Sequence, residues 1–241
     1  MNLFCFSYAG GSAQSYFGLK QALSRTNAIL LELPGRGMRF REPLLTSMEA
    51  VLDEYERQIQ PRLERSLEPF AFFGHSMGAL VAHLLALRFA SRGLRGPSHL
   101  FLSGKSGPGC APAAAPKHLL TENEFRAYLE ILGGCPRAVL ADEELMQYFC
   151  RVVRADFEVL ETCDERADAA HDIPITAFAG DEDAITPDLV RGWQKVAAAG
   201  WDFHVLRGGH FFLQSHWPGI ARIIERALAP QPTTLSIKEM R

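Results

Sequence analysis

No apolar run in the 241-residue chain reaches the roughly 18 residues of a membrane span, so membrane integration by a helix is not expected. The start, Met1-Asn2-Leu3-Phe4-Cys5-Phe6, lacks the basic residues and small-residue cleavage site of a signal peptide. It reads instead as a first strand. Charge of either sign is scarce in excess: the net charge is −3, which gives no global attraction to nucleic acid or an anionic membrane. Cysteine is sparse and odd in number, with Cys5, Cys110, Cys135, Cys150 and Cys163 and no Cys-x-x-Cys. A disulfide framework or zinc site is therefore not expected, and reduced thiols in a cytoplasmic protein are. Internal repeats are absent. What remains is 47% hydrophobic and 22% charged residues, the balance of an ordinary globular protein, in a length that suits one large core.

Short apolar runs alternate with amphipathic stretches. Leu3–Phe6, Ala28–Leu33, Phe70–Gly74, His99–Ser103, Ile175–Ala179 and Asp202–Leu206 read as strands. The first five are mostly apolar, as strands covered on both faces are. Met48, Val51, Leu52, Tyr55, Ile59, Leu63 and Leu67 follow helical spacing, with Thr46-Ser47-Met48-Glu49 as a capping box. A second apolar helix follows Ser76, carrying Leu80, Val81, Leu84, Leu85 and Leu87. The alternation predicts an α/β fold with a mainly parallel, doubly wound sheet.

The alternation lapses from about Gly107 to Asp172. A Gly/Pro/Ala loop, Gly107–Pro116, precedes two amphipathic helices, one with Phe125, Leu129 and Leu132, the other with Leu145, Phe149, Val152 and Val153. Gly133-Gly134-Cys135-Pro136 separates them. An insertion this long is expected to act as a lid. Residues 121–168 hold 12 acidic and 5 basic side chains, read as a solvated outer face. The expected organisation is one domain over residues 1–228 with a lid at about 107–172, and a flexible tail over 229–241.

The chemistry centres on Gly74-His75-Ser76-Met77-Gly78. Gly-x-Ser-x-Gly alone is weak, but here it directly follows the strand Phe70-Ala71-Phe72-Phe73 and precedes an apolar helix, the setting of a nucleophile elbow. Ser76 is the expected nucleophile, held at the carboxyl end of the sheet. It needs a base, and the base an orienting carboxylate, in the chain order Ser, acid, His. His210, in Arg207-Gly208-Gly209-His210-Phe211-Phe212, follows the last strand and is the expected base. His204 and His216 read as structural or surface, and His75 as pointing away from the partner of Ser76. After Ile175–Ala179 come Gly180-Asp181-Glu182-Asp183, where Asp183 is favoured over Asp181 as the acid. The oxyanion hole is expected from the N–H of Met77 and of Ala9, with Gly10 next, in Ser7-Tyr8-Ala9-Gly10-Gly11-Ser12-Ala13. Arg36, Arg39 and Arg41 are open to an anionic arm or partner, but a solvated loop is the expectation.

The sequence resembles the type II thioesterases, the free-standing editing enzymes of nonribosomal peptide and polyketide synthases, over residues 2–228. Phe6-Ser7-Tyr8-Ala9-Gly10-Gly11-Ser12-Ala13 is similar to the family's opening loop, where proline is commoner at the Ser7 position. Leu33-Pro34-Gly35-Arg36-Gly37 is similar to its Pro-Gly-Arg segment, and Arg154-Ala155-Asp156-Phe157 with Leu160-Glu161-Thr162 to its lid ending. Cys163 stands where an aromatic residue is common. The resemblance implies the α/β-hydrolase fold and the triad Ser76–Asp183–His210. It implies hydrolysis of acyl thioesters on the phosphopantetheine arm of acyl or peptidyl carrier proteins, with no cofactor of its own. A monomer is expected. A product-releasing medium-chain thioesterase, a general esterase, or an idle carrier-binding module remain alternatives.

Overall fold

The computed structural model describes residues 1–110, 115–133, 135, 137–163 and 169–229. Six strands form one sheet: β1 (Asn2–Phe6), β2 (Asn27–Leu30), β3 (Phe70–His75), β4 (Leu100–Ser103), β5 (Ile175–Gly180) and β6 (Trp201–Leu206). All five pairings are parallel, in the order β2-β1-β3-β4-β5-β6. The helices are α1 (Phe17–Ala22), α2 (Met48–Glu64), α3 (Met77–Ser91), α4 (Glu122–Leu132), α5 (Arg137–Leu140), α6 (Glu143–Glu161), α7 (Pro187–Arg191) and α8 (Leu213–Ala227).

The period-2 alternation of the strands sorts two cores. Phe4, Phe6, Phe70, Phe72, Leu100 and Leu102 face Val51, Tyr55 and Ile59 of α2 and Leu80, Val81 and Leu85 of α3. Leu3, Cys5, Ala71, Phe73 and Phe101 face Tyr16, Leu19 and the Leu213, Trp217, Ile220 and Ile224 stripe of α8. A third, small cluster of Phe125, Leu129, Met146, Cys150 and Val153 joins α4 to α6. Every strand expected from the sequence is present, and the mainly parallel α/β sheet is confirmed.

Some boundaries move. The second strand stops at Leu30 rather than Leu33: Pro34 has no N–H to give a ladder, and the chain turns at Gly35. Leu31, whose N–H still donates to Cys5 O at 3.3 Å, and Leu33 remain buried beyond the strand's end. The cap of α2 is Ser47, whose hydroxyl accepts from Ala50 N, rather than a box opened by Thr46. The helix ends at Glu64, leaving Leu67 exposed. The insertion between β4 and β5 carries α5 as well as the two expected helices. Residues 111–114 of the expected loop, 134 and 136 of the expected break, and the tail from 230 lie outside the described residues.

The strand order fixes where a site forms. The chain starts at β1, steps outward to β2, then crosses back to β3, so β1 and β3 flank a reversal, where the loops at the carboxyl ends diverge and leave a crevice. Phe6 is in register with Gly74, His75 with Ser103, and Gly180 with Leu206. The loops that follow these strands therefore leave the sheet along one edge. No helix among the described residues is long and apolar enough to cross a membrane.

Two buried imidazoles inside this frame set an acid limit. His99, bonded to Thr176 Oγ1 at 2.8 Å, and His171, 2.6 Å from His83 Nδ1, are both pushed down to about 4 by burial, Asp202 opposing slightly for His99. Both must stay neutral in the fold and charge in the unfolded chain. Their stabilisation is complete above pH ~6.5 and is lost as pH falls toward ~4, by on the order of 2 kcal/mol each. Urea midpoints at pH 7 and pH 4.5 should show that loss, and His99→Gln should remove about half of it, leaving the share of His171. An equal pH dependence in the variant would contradict the assignment.

Candidate active site

The elbow between β3 and α3 is built by close approach. A Cβ on Gly74 would lie 2.0 Å from the Gly78 carbonyl oxygen, and one on Gly78 would lie 2.0 Å from that of Phe6. Only glycine lets strand, turn and helix pack this tightly. Ser76 carries the strain, with φ 53° and ψ −116°, and is the one non-glycine residue with positive φ among the described residues. Such a conformation persists only where its surroundings hold it. Ser76 N donates to Ser103 O at 2.8 Å. The Tyr16 hydroxyl accepts from His75 N and donates to Phe6 O, bracing the turn from below.

His210 and Asp183 meet over the sheet. His210 Nδ1 is 2.9 Å from Asp183 Oδ2, and Asp183 Oδ1 accepts from Ile185 N at 3.0 Å. Asp183 is 8% exposed. Asp181, its competitor, is exposed and accepts from Gly208 N at 2.7 Å, so it stitches the two loops together instead. His204 bonds Asp202, and His216 Nε2 lies 2.9 Å from Arg207 O, in keeping with their structural reading.

His75 departs from expectation. Its ring does not point away from His210 but packs against it, with centroids 4.9 Å apart, and its Nδ1 lies 2.9 Å from Ser103 Oγ. Full burial, and then the neighbouring His210, push its imidazole well below the ordinary histidine value, so it is neutral.

Ser76, His210 and Asp183 line one cavity of ≈ 650 Å³ together with Ala9. Tyr128 and Leu132 of α4, Phe157 and Leu160 of α6, and Ile185 and Leu189 form its apolar wall. Met77 is the first residue of α3, where the backbone N–H groups have no helical partner. Ala9 lies in the turn after β1, closed by Gly11 N donating to Tyr8 O at 2.8 Å.

Arg36 is not on a solvated loop. It is 3% exposed and forms a two-pronged pair with Asp156 of α6, Nη1 to Oδ2 at 2.6 Å and Nη2 to Oδ1 at 2.7 Å. Asp156 Oδ2 also accepts from Gly10 N at 2.7 Å. Arg39 is held by Glu42 and Glu54. The expected acidic outer face thus has an exception at Asp156. Its signal was present in the sequence: a carboxylate between Val152, Val153 and Val159 on the stripe of α6 that turns inward. Tyr16 gave no comparable signal.

A parallel sheet with its reversal at β1 and β3, a strained serine on a strand-to-helix turn and a His–Asp pair at the same edge define a protein of the α/β-hydrolase fold. The family model described as "Thioesterase domain" matches residues 1–228. Linear gramicidin dehydrogenase LgrE of Brevibacillus parabrevis is 35% identical over 231 residues, covering 94% of this chain and 87% of its own. The medium-chain S-acyl fatty acid synthase thioesterase of Rattus norvegicus is 31% identical, covering 88% and 81%. Among solved structures, the type II thioesterase BorB from the borrelidin biosynthetic cluster superposes with a TM-score of 0.80 at 30% identity, covering 94% and 90%. The first relative is named for a dehydrogenase, but the matching family model and the other two are thioesterases. The chain belongs to the thioesterase family and is a thioester hydrolase.

The elbow yields a direct test. Gly74→Ala drives a methyl into backbone that cannot yield, so it should lose more than ~3 kcal/mol of stability. A urea midpoint unchanged from the parent would mean that the turn is looser than its geometry implies.

Proposed function

We propose that this chain removes acyl groups from the phosphopantetheine arm of carrier proteins, clearing misprimed or stalled units in peptide or polyketide assembly. The observation that carries the chemistry is the 2.9 Å contact between His210 and Asp183 in the lining of the cavity that Ser76 also lines. Because Nδ1 faces the carboxylate, Nε2 is the nitrogen left to take the Ser76 proton. Ser76 Oγ then attacks the thioester carbon, the charge passes to the carbonyl oxygen, and the N–H groups of Met77 and Ala9 receive it. Collapse expels the sulfur, which takes the proton from the His210 imidazolium and leaves as the thiol, restoring the neutral base. A water deprotonated by His210 attacks the acyl-enzyme and frees the acid. Asp183 fixes the imidazole tautomer and stabilises its cation, and the neutral His75 beneath offers no competing charge.

The carrier-borne substrate is supported by the kinship with a type II thioesterase of a biosynthetic cluster and with LgrE, whose name ties it to linear gramicidin. The kinship with the rat enzyme supports a second reading, release of a mature medium-chain acid. The apolar wall suits the chain in either case.

Wild type should hydrolyse short acyl-carrier proteins of several chain lengths faster than the matching acyl-CoA, and Ser76→Ala should not. A sharp preference for one medium-length chain would favour the releasing role, and turnover by Ser76→Ala would remove the nucleophile assignment. Asp183→Asn should lower kcat by about 10³- to 10⁴-fold through the wrong tautomer, and Asp181→Asn by less than about tenfold. The reverse order would move the acid to Asp181.

A further inference from the structure

The assignment of Ala9 as an oxyanion donor leaves open what holds a glycine-rich loop steady enough to serve. The loop is a four-residue turn, Tyr8 to Gly11, closed by the Gly11 N to Tyr8 O bond, with Gly10 third at φ +76°. Positive φ at that position marks a type II turn, which differs from type I by a flip of the central peptide, here Ala9–Gly10. Gly10 at the third position admits the type II form without strain. An outside contact then holds it: the N–H of that central peptide donates to Asp156 Oδ2 at 2.7 Å.

Asp156 is itself fixed. Its carboxylate is gripped at both oxygens by Arg36, and the two side chains are 1% and 4% exposed. Burial would depress the Arg36 guanidinium, but Asp156 more than offsets it, so the arginine stays charged. Arg36 Nη1 also reaches Gly11 O at 3.4 Å, so the pair holds the turn by a donor and an acceptor. The same helix also rests directly on the turn: a Cβ on Gly10 would meet Val153 Cγ2 at 2.4 Å.

We propose that Asp156 is a positioning residue, which from α6 holds the Gly10 N–H and so steadies the whole turn, including the preceding Tyr8–Ala9 peptide whose N–H faces the developing oxyanion, with Arg36 as its counter-charge. The proposal rests on Ser76 and Ala9 having the roles given above. It has a consequence for the lid. Phe157 and Leu160, on the same helix, line the cavity beside Ala9 and Ser76. The helix that the acyl chain touches is therefore the helix that sets the oxyanion loop, and a displaced α6 would take the clamp with it.

Removing one member of a buried ion pair strands the other, so single variants would confound positioning with unfolding. The test uses two variants with the charge pair already gone. In Arg36→Met/Asp156→Asn the amide oxygen can still accept from Gly10 N. In Arg36→Met/Asp156→Leu, nearly the same shape, nothing can. Where the leucine variant does not fold, Arg36→Met/Asp156→Ala takes its place. The asparagine variant should keep kcat within about fivefold of wild type. The leucine variant should lose about 10- to 100-fold in kcat with KM nearly unchanged, less than or comparable to loss of one oxyanion donor.

A second readout separates this proposal from the one beneath it. An acyl trifluoromethyl ketone forms a hemiketal oxyanion on a reactive serine, and the matching methyl ketone does so poorly. Wild type should prefer the fluorinated compound strongly. The leucine variant should lose most of that preference and the asparagine variant little. If wild type shows no preference, the Ser76 and oxyanion roles fail and the clamp falls with them. If wild type shows it and both folded variants keep it alongside equal kcat, Asp156 is structural only and the clamp alone is overturned.

Discussion

Everything at the carboxyl edge of the sheet depends on how closely β1, β3 and α3 approach at the elbow. Gly74 and Gly78 leave no space for a side chain, and the Phe6 carbonyl closes the gap from the neighbouring strand. That proximity forces Ser76 into its strained conformation and lifts its side chain off the sheet. The same proximity brings the turn after β1 beside the first residue of α3. Strain at Ser76 is tolerated because Tyr16, Ser103 and the helix behind it over-determine the turn.

A second constraint acts across the cavity. The Arg36–Asp156 pair joins three segments distant in sequence: the loop after β2, the turn after β1, and α6 of the insertion. A buried ion pair contributes little net stability against an apolar replacement. It does fix direction, since a two-pronged guanidinium–carboxylate contact admits one geometry. The site therefore divides its needs. Apolar packing supplies stability through two large cores, and polar pairs supply orientation at His210–Asp183, at Arg36–Asp156 and through Asp181 to Gly208.

The sheet was legible because its signal is local and repeated. Each strand is a run of alternating or continuous apolar residues, and a parallel sheet buried on both faces makes those runs conspicuous. Ser76 was legible because a motif sat in the right context, and the His210–Asp183 contact follows from the same logic of strand ends. The helix over Leu213–Ala227 also has clear helical spacing, in Leu213, Trp217, Ile220 and Ile224, directly after the His210 loop. Arg36 and Asp156 were recognised only as parts of separate segments. No pattern along the chain joins residues 120 positions apart, and an arginine in a Gly-rich loop is ordinarily solvated. The one local sign at Asp156, passed over when the acids of residues 121–168 read as a solvated face, is a charge on an apolar stripe.

His75 shows why the buried members of a motif matter. The residue before the serine is variable in a Gly-x-Ser-x-Gly pattern and reads as filler. Here its ring lies 4.9 Å from that of His210, close enough that a charge on either would raise the free energy of the other. Burial resolves the conflict by keeping His75 neutral, with its Nδ1 beside the Ser103 hydroxyl. His210 then has a carboxylate on one side and a neutral aromatic surface beneath it. In the proposed reaction Asp183 would then stabilise the imidazolium in the orientation that passes its proton to the departing sulfur and, in the second half, to the departing Ser76 oxygen.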